Sequence, residues 1–173
     1  VLLYKNWIPW ETRSMVKERV SQGIQFLYNN TESKEFVETS ANITSDLMKA
    51  IFENHSLAID ISALKTSDEY TFKHSVDVAT LAMIIAKRLG MSSREVYDIG
   101  IAGLLHDMGK AQIPNEILNK PGRLTDDEFQ VMKSHSRLGY NILKKRNEFP
   151  PMIPLAVLQH HEKMNGTGYP LKF

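Results

Sequence analysis

Residues 92–110 read Ser-Ser-Arg-Glu-Val-Tyr-Asp-Ile-Gly-Ile-Ala-Gly-Leu-Leu-His-Asp-Met-Gly-Lys, and this stretch decides the fold class. Ser92-x-x-Glu95 has the spacing of a capping box, which predicts that a helix begins there. The apolar run that follows indicates a helix packed against a core. It ends on His106-Asp107, two residue types that bind metals, placed side by side at the edge of that core.

Helical periodicity extends to both sides of this stretch. Before it, helices are predicted over 11–28, over 33–55 and from Asp68 or Thr71 to Leu89, with Gly90 as a C-cap. After it, we expect a helix break at Gly109 and a loop over 111–124. One helix should then begin at Thr125-x-x-Glu128 and end before Pro150-Pro151, and a short helix should end at His160-His161. Strand signals are nearly absent, so the sequence predicts an all-α bundle of about seven helices.

Composition excludes several classes of protein. The chain has 173 residues, a formal net charge of +1 and no cysteine. Disulfide scaffolds and zinc-thiolate sites are therefore excluded, and a reducing cytoplasm fits. The charge balance gives no field that would attract long nucleic acid or an anionic membrane. No apolar run approaches the roughly 18–20 residues of a membrane span.

Five of the six histidines lie after residue 66. We therefore predict a boundary there, between a helical N-terminal lead-in or regulatory region, 1–66, and the domain that carries the chemistry, 67–173. The amphipathic lead-in is expected to relay signals or to form a homodimer. The chain begins with Val1 instead of Met, so we expect it to be a piece of a longer protein.

The histidines and Asp107 are the candidate metal ligands. A lone helical histidine is usually structural, and His55 is assigned that role. A mixed histidine and aspartate set without thiolate is instead typical of a hydrolytic or iron-type metal site. The pair His160-His161 by itself fits a polar helix end equally well. The residue pattern predicts a metal site and does not name a substrate.

The motifs resemble those of the HD-GYP family, a branch of the HD superfamily of metal-dependent phosphohydrolases. The resemblance rests on His-Asp-x-Gly-Lys at 106–110 and His-His-Glu-x-x-x-Gly-x-Gly-Tyr-Pro at 160–170, and it covers about 67–173. It implies an HD-domain helical bundle with metal ligands His74, His106, Asp107, His135, His160 and His161. Asp107 would bridge two metals and, with Lys110, act in catalysis. Substrate contacts would come from Lys110, Lys120, Gly168, Tyr169 and Pro170.

The implied activity is hydrolysis of cyclic di-GMP, or of a related cyclic dinucleotide, to the linear dinucleotide and in some members to GMP. A metal-bound hydroxide would be the nucleophile. Two divalent ions are expected, with Fe or Mn favoured and with Zn, Ni and Mg also suited to the ligands. Diguanylate cyclase domains are the implied partners. The alternatives are a catalytically weak module that senses the nucleotide or docks a cyclase, another HD phosphohydrolase, and a purely structural bundle.

Two positions depart from the family pattern. Some members hold a third metal with a glutamate four residues before the first histidine, and Tyr70 stands there in this chain. We therefore expect two metals. The family also places an aspartate ligand and basic substrate contacts well after the Gly-Tyr-Pro loop, whereas this sequence ends at Phe173. We therefore expect this segment to be truncated at its C-terminal end relative to the family. The first metal site would then be weakened, and the segment could be inactive by itself.

Overall fold

The computed structural model of the chain describes residue 20 and residues 22–53 and 70–173, and these residues form helices and loops without a strand. A helical stretch over 22–29 comes first. The helices that follow are α1 (Glu35–Glu53), α2 (Tyr70–Arg88), α3 (Ser93–Leu105), a 3-10 helix (Met108–Gln112), α4 (Asn115–Leu118), α5 (Asp126–Lys133), α6 (His135–Lys144) and α7 (Met152–Gln159). The predicted all-α class is confirmed.

The chain divides into two compact units, Val1–Leu104 and Leu105–Phe173. In the described part of the first unit, apolar side chains of α1, α2 and α3 form the core. A Cβ at Gly103 would lie 2.8 Å from the Cα of Ala79, so α2 and α3 approach each other too closely there for any side chain. The buried apolar side chains of these helices include Phe36, Leu47, Ile51, Met83, Val96 and Leu104.

The predicted helix boundaries at Gly90 and at both capping boxes are confirmed. Gly90 has φ +77° and follows the end of α2, a conformation that favours glycine. Glu95 accepts the backbone N–H of Ser92 at 2.8 Å, and Glu128 accepts that of Thr125 at 2.7 Å. Each box satisfies helix N–H groups that lack a partner within the helix.

In the second unit, α6 packs against both α7 and the 3-10 helix. Leu105, Met108, Leu143, Ile153 and Val157 are buried here and form its core. Four polar residues are buried with them: His106, Asp107, His135 and Ser136. Because a buried charge requires partners, this polar group in an apolar core marks the site to examine.

Three predictions for the second unit were wrong in detail. Residues 111–124 hold the end of the 3-10 helix and the short α4, and Gly109 lies inside the 3-10 helix. The helix predicted to run on from Thr125 is interrupted at Ser134. Ser134 Oγ donates to Val131 O at 2.6 Å, and the His135 Nδ1 lies 2.6 Å from Met132 O. Side chains that bind carbonyls of the preceding turn compete with the helical ladder, which accounts for the break.

Several predictions fall on residues outside the described part. These are the start of the 11–28 helix, the structural role of His55 and the domain boundary near residue 66. Among the described helices, none combines the length and the apolar character needed to cross a membrane.

Candidate metal centre

Three helix ends bring the site together within the second unit. Helix α3 ends at Leu105, directly before His106 and Asp107. His135 is the first residue of α6, and His160 is the C-cap of α7. Helix ends allow neighbouring residues to point toward one place, whereas adjacent positions within a helix diverge by about 100°.

Asp107 is the centre of the cluster and is only 2% exposed. Its Oδ1 lies 3.3 Å from His135 Nε2 and 3.7 Å from His160 Nε2. Its Oδ2 lies 3.2 Å from His106 Nε2 and 2.7 Å from Lys110 Nζ. The two oxygens of one carboxylate therefore face two different sets of partners.

The tautomers of two histidines follow from their backbone partners. His135 Nδ1 lies 2.6 Å from Met132 O, and His160 Nδ1 lies 2.8 Å from Val157 O. A carbonyl only accepts, so each Nδ1 carries the proton that it donates. The Nε2 atom of each neutral ring then presents a lone pair, which is the form that binds a metal.

The donor set fits a divalent cation. The Nε2 atoms of His135 and His160 are 3.2 Å apart and share the side of Asp107 that bears Oδ1. Lone pairs that converge at such distances repel each other unless a cation lies among them. Ligand atoms of four residues lie within 4.8 Å of one another: Asp107, His135, His160 and His161. One carboxylate and three imidazoles are a chemically suitable ligand set for Fe, Mn or Zn.

Electrostatics keep these groups in the form that binds metal. Burial alone would raise the pKa of Asp107, but its close contacts with the rings of His106, His135 and His160 outweigh burial and hold the pKa well below its usual range. Burial, followed by the charges of His160 and His135, lowers the pKa of His161 to about 4. At neutral pH the cluster thus contains an ionised carboxylate and a neutral His161.

The Gly-Tyr-Pro loop lies against the cluster. The Tyr169 ring stacks on the His161 ring with a centroid distance of 4.6 Å and an interplanar angle of 23°. Burial and then the charge of Asp107 raise the pKa of Tyr169 to about 12. A Cβ on Gly168 would lie 2.5 Å from Glu162 Cα and 2.6 Å from His161 O, so the loop comes this close only with glycine there.

Glu162 anchors the end of this loop. Its carboxylate accepts the backbone N–H of Leu171 at 2.5 Å and that of Lys172 at 3.1 Å. The structure thus shows Glu162 fixing the backbone beyond Pro170. Its position directly after the histidine pair gives no signal of a contact nine residues away.

The remaining predicted site residues have different surroundings. Lys110 pairs with Asp107, as above. Lys120 Nζ binds both carboxylate oxygens of Glu128, at 2.8 and 2.6 Å. His74 is half-buried in the first turns of α2, in the other unit. Roles in substrate binding for Lys120 and in metal binding for His74 stay predictions.

Sequence reasoning missed the two carbonyls that orient the ligand histidines. Met132 and Val157 each lie three residues before a histidine, and each accepts from that Nδ1. The shared spacing of three residues at a helix end is the signal that could have indicated them.

Known proteins resemble this chain in sequence and in fold. A family model described as HD domain matches residues 57–173. The cyclic di-GMP phosphodiesterase PA4108 of Pseudomonas aeruginosa is 32% identical over 159 residues, which is 91% of this chain and 38% of that protein. The cyclic di-GMP phosphodiesterase response regulator RpfG of Xanthomonas campestris pv. campestris is 41% identical over 119 residues, 68% of this chain and 32% of that protein.

Among solved structures, Bd1817, described as a HDG"Y"P protein from Bdellovibrio bacteriovorus, matches with a TM-score of 0.73 and 22% identity. That match covers 90% of this chain and 51% of the other. The chain thus spans 38% and 32% of the two relatives' lengths. The resemblance predicted from the motifs is confirmed, and the chain belongs to the HD domain family.

Proposed function

We propose that this chain carries the metal centre of a phosphodiesterase that hydrolyses cyclic di-GMP or a related cyclic dinucleotide to the linear dinucleotide, and on to GMP if the second ester is cleaved. The observation that carries the proposal is the buried Asp107, whose carboxylate lies among three imidazoles with converging ligand atoms. Two relatives named as cyclic di-GMP phosphodiesterases support the substrate class. A module that only senses the nucleotide has less reason to keep this ligand set.

We infer that two divalent ions bind, with Fe or Mn favoured by the mixture of carboxylate and imidazole ligands. The proposed ligands are His74, His106 and Asp107 for one ion, and Asp107, His135, His160 and His161 for the other. Support for the second group comes from its mutual distances of up to 4.8 Å. Support for a bridging Asp107 comes from its two oxygens, which face different partners.

The chemistry divides between the ions and the chain. When bound, a metal pair supplies Lewis acidity and lowers the pKa of water toward neutrality. In hydrolysis, the oxygen of water bonds to phosphorus and one ester P–O bond breaks. The products are a phosphate monoester on one ribose and a hydroxyl on the other, which takes up a proton. The chain's part is to hold the lone pairs of His135 and His160 in place through their backbone hydrogen bonds.

Lys110 is the proposed contact for the substrate phosphate. Its ammonium lies 2.7 Å from Asp107 Oδ2, and its side chain is 23% exposed. It is thus held beside the metal ligands with part of its surface open. A cation in this position stabilises the negative charge that develops on the phosphoryl oxygens.

The resemblance also supports three broader proposals. The Gly168-Tyr169-Pro170 loop would serve as a contact for diguanylate cyclase domains. The N-terminal lead-in would form a homodimer. The absence of cysteine favours a cytoplasmic location.

The test is metal content and cyclic di-GMP hydrolysis on one sample loaded anaerobically with Fe(II) or Mn(II). We expect about two metals per chain and a linear dinucleotide product. Asp107→Ala should lose both metals, because one carboxylate is proposed to hold both. Asp127→Ala removes an exposed carboxylate from α5 and serves as the matched control.

Two metals per chain without hydrolysis of any cyclic dinucleotide would refute the enzymatic proposal for this chain. Two metals retained in Asp107→Ala would refute the bridging role. Comparing cyclic di-GMP with a mixed cyclic dinucleotide decides the substrate within the class.

A further inference from the structure

A basic cleft lies beside the Gly-Tyr-Pro loop, and Gly168, Tyr169 and Pro170 form part of its wall. It has a volume of about 600 Å³, and residues of α5, α6 and the loop 163–172 line it. Four of its lining residues are cations: Lys133, Arg137, Lys163 and Lys172. Among the residues that the structure describes, no carboxylate lines it, although the whole chain has 21 basic and 20 acidic residues. Such a local excess of one charge indicates an anionic occupant.

The cleft is distinct from the metal centre. None of the candidate metal ligands lines it. Arg137 lies two positions after His135 on α6, about 200° around the helix, so it points away from the side that His135 faces. Tyr169 is the residue that the two sites share, since its ring stacks on His161 and also lines the cleft.

The cleft also offers aromatic surface. Phe129 is 44% exposed and lines the cleft together with Tyr169. The Lys133 ammonium lies 4.6 Å from the Phe129 ring centroid and 5.7 Å from that of Tyr169. Cation–π contacts with two rings hold this charge at the cleft wall. Cations beside exposed aromatic rings are what proteins use to bind a nucleotide, whose phosphate is anionic and whose base stacks.

We propose that this cleft binds a nucleotide that carries a terminal phosphate monoester, such as a nucleoside monophosphate or a linear dinucleotide. A monoester has nearly two negative charges and matches four cations better than the single charge of a diester does. Arg137 can bind two phosphate oxygens through its planar guanidinium. The volume lies within the roughly 300–1,000 Å³ typical of small-molecule sites. Binding here requires neither metal nor hydrolysis, so the proposal stands apart from the proposed function.

The test is a fluorescence-anisotropy titration of metal-free chain, in EDTA, with N-methylanthraniloyl GMP. Removing metal abolishes binding that depends on the metal centre. Arg137→Ala and, on another segment, Lys163→Ala should each weaken binding about tenfold, as expected for one charge-assisted hydrogen bond. Arg88→Ala removes an exposed arginine at the end of α2 and should leave the affinity unchanged. Circular dichroism of each variant checks that it is folded.

Competition identifies the occupant. Unlabelled GMP should displace the probe at much lower concentration than inorganic phosphate, because the base contributes by stacking. If inorganic phosphate displaces the probe as well as GMP does, the proposal that the ligand is a nucleotide would be overturned. Equal competition by a poly-glutamate peptide would show a docking surface for acidic protein segments instead. No binding, or binding that is equal in Arg137→Ala, Lys163→Ala and the parent chain, would overturn the site itself.

Discussion

Gly109→Ala tests whether the metal centre depends on one close approach of two backbones. A Cβ on Gly109 would overlap His135 O, and it would lie 2.5 Å from Gly139 N and 2.7 Å from His135 C. Ordinary Cβ contacts begin near 3.4 Å, so relieving the contacts with Gly139 N and His135 C alone requires about 0.7–0.9 Å, and the overlap with His135 O requires a larger separation of the 3-10 helix from α6. All three neighbours are backbone atoms of α6, which cannot rotate away. Overpacking costs about 1–3 kcal/mol, and we place this site at about 3 kcal/mol for that reason.

For a chain of this size, about 3 kcal/mol corresponds to a decrease in Tm of about 6–12 °C. The separation also moves His135 away from Asp107, so metal content should fall. Differential scanning fluorimetry and metal analysis measure the two effects. Gly100→Ala is the matched control, because its Cβ would meet side chains instead of backbone, Met83 Sδ at 2.6 Å and Thr44 Cγ2 at 3.0 Å, and alanine favours the helix. A Gly109→Ala chain with unchanged Tm and full metal content would refute this reasoning.

Three further predictions concern the loop, a helix cap and the proposed phosphate contact. Gly168→Ala places a Cβ 2.5 Å from the Lys163 backbone nitrogen, so it should lower Tm by several degrees and reduce metal content. Unchanged Tm and unchanged metal content would contradict the packing argument. Thr125→Ala removes the capping box of α5 and should cost about 1 kcal/mol, about 2–4 °C in Tm, without loss of metal. Lys110→Met should lower kcat about 100-fold at normal metal content, whereas unchanged turnover would exclude a phosphate contact.

The fold class and the residues of the metal centre could be predicted because they depend on local signals. Two capping boxes and the Gly90 C-cap mark helix ends in any chain. A His-Asp pair at the end of an apolar run places ligand types at a core edge before any tertiary contact is known. The structure brings ligand atoms of Asp107, His135, His160 and His161 within 4.8 Å of one another, and the role of these residues as metal ligands stays a prediction.

Other features depend on contacts between distant segments, which local patterns do not encode. The break at Ser134 arises because Ser134 and His135 bind carbonyls of the preceding turn, while the apolar periodicity continues through it. The contacts of Glu162 with residues after Pro170 require the loop to fold back. The basic cleft assembles charges from α5, α6 and the loop, so no single stretch of sequence contains all of them.

The two ligand histidines with known tautomers show how helix ends and metal binding are connected. A helix leaves its last carbonyls without an N–H partner, and such a group needs another donor when it is buried. Val157 obtains that donor from the Nδ1 of the histidine three residues later, and the Met132 carbonyl, which also accepts from Ser134 N–H, gains a second donor in the same way. The hydrogen bond from Nδ1 to the carbonyl at the helix end thereby fixes which nitrogen of the ring faces Asp107. An asparagine side chain at either position could donate a hydrogen bond to the same carbonyl, but it would present no imidazole lone pair. Helix termination alone therefore does not explain why both positions are histidine, which supports the proposal that both residues bind metal.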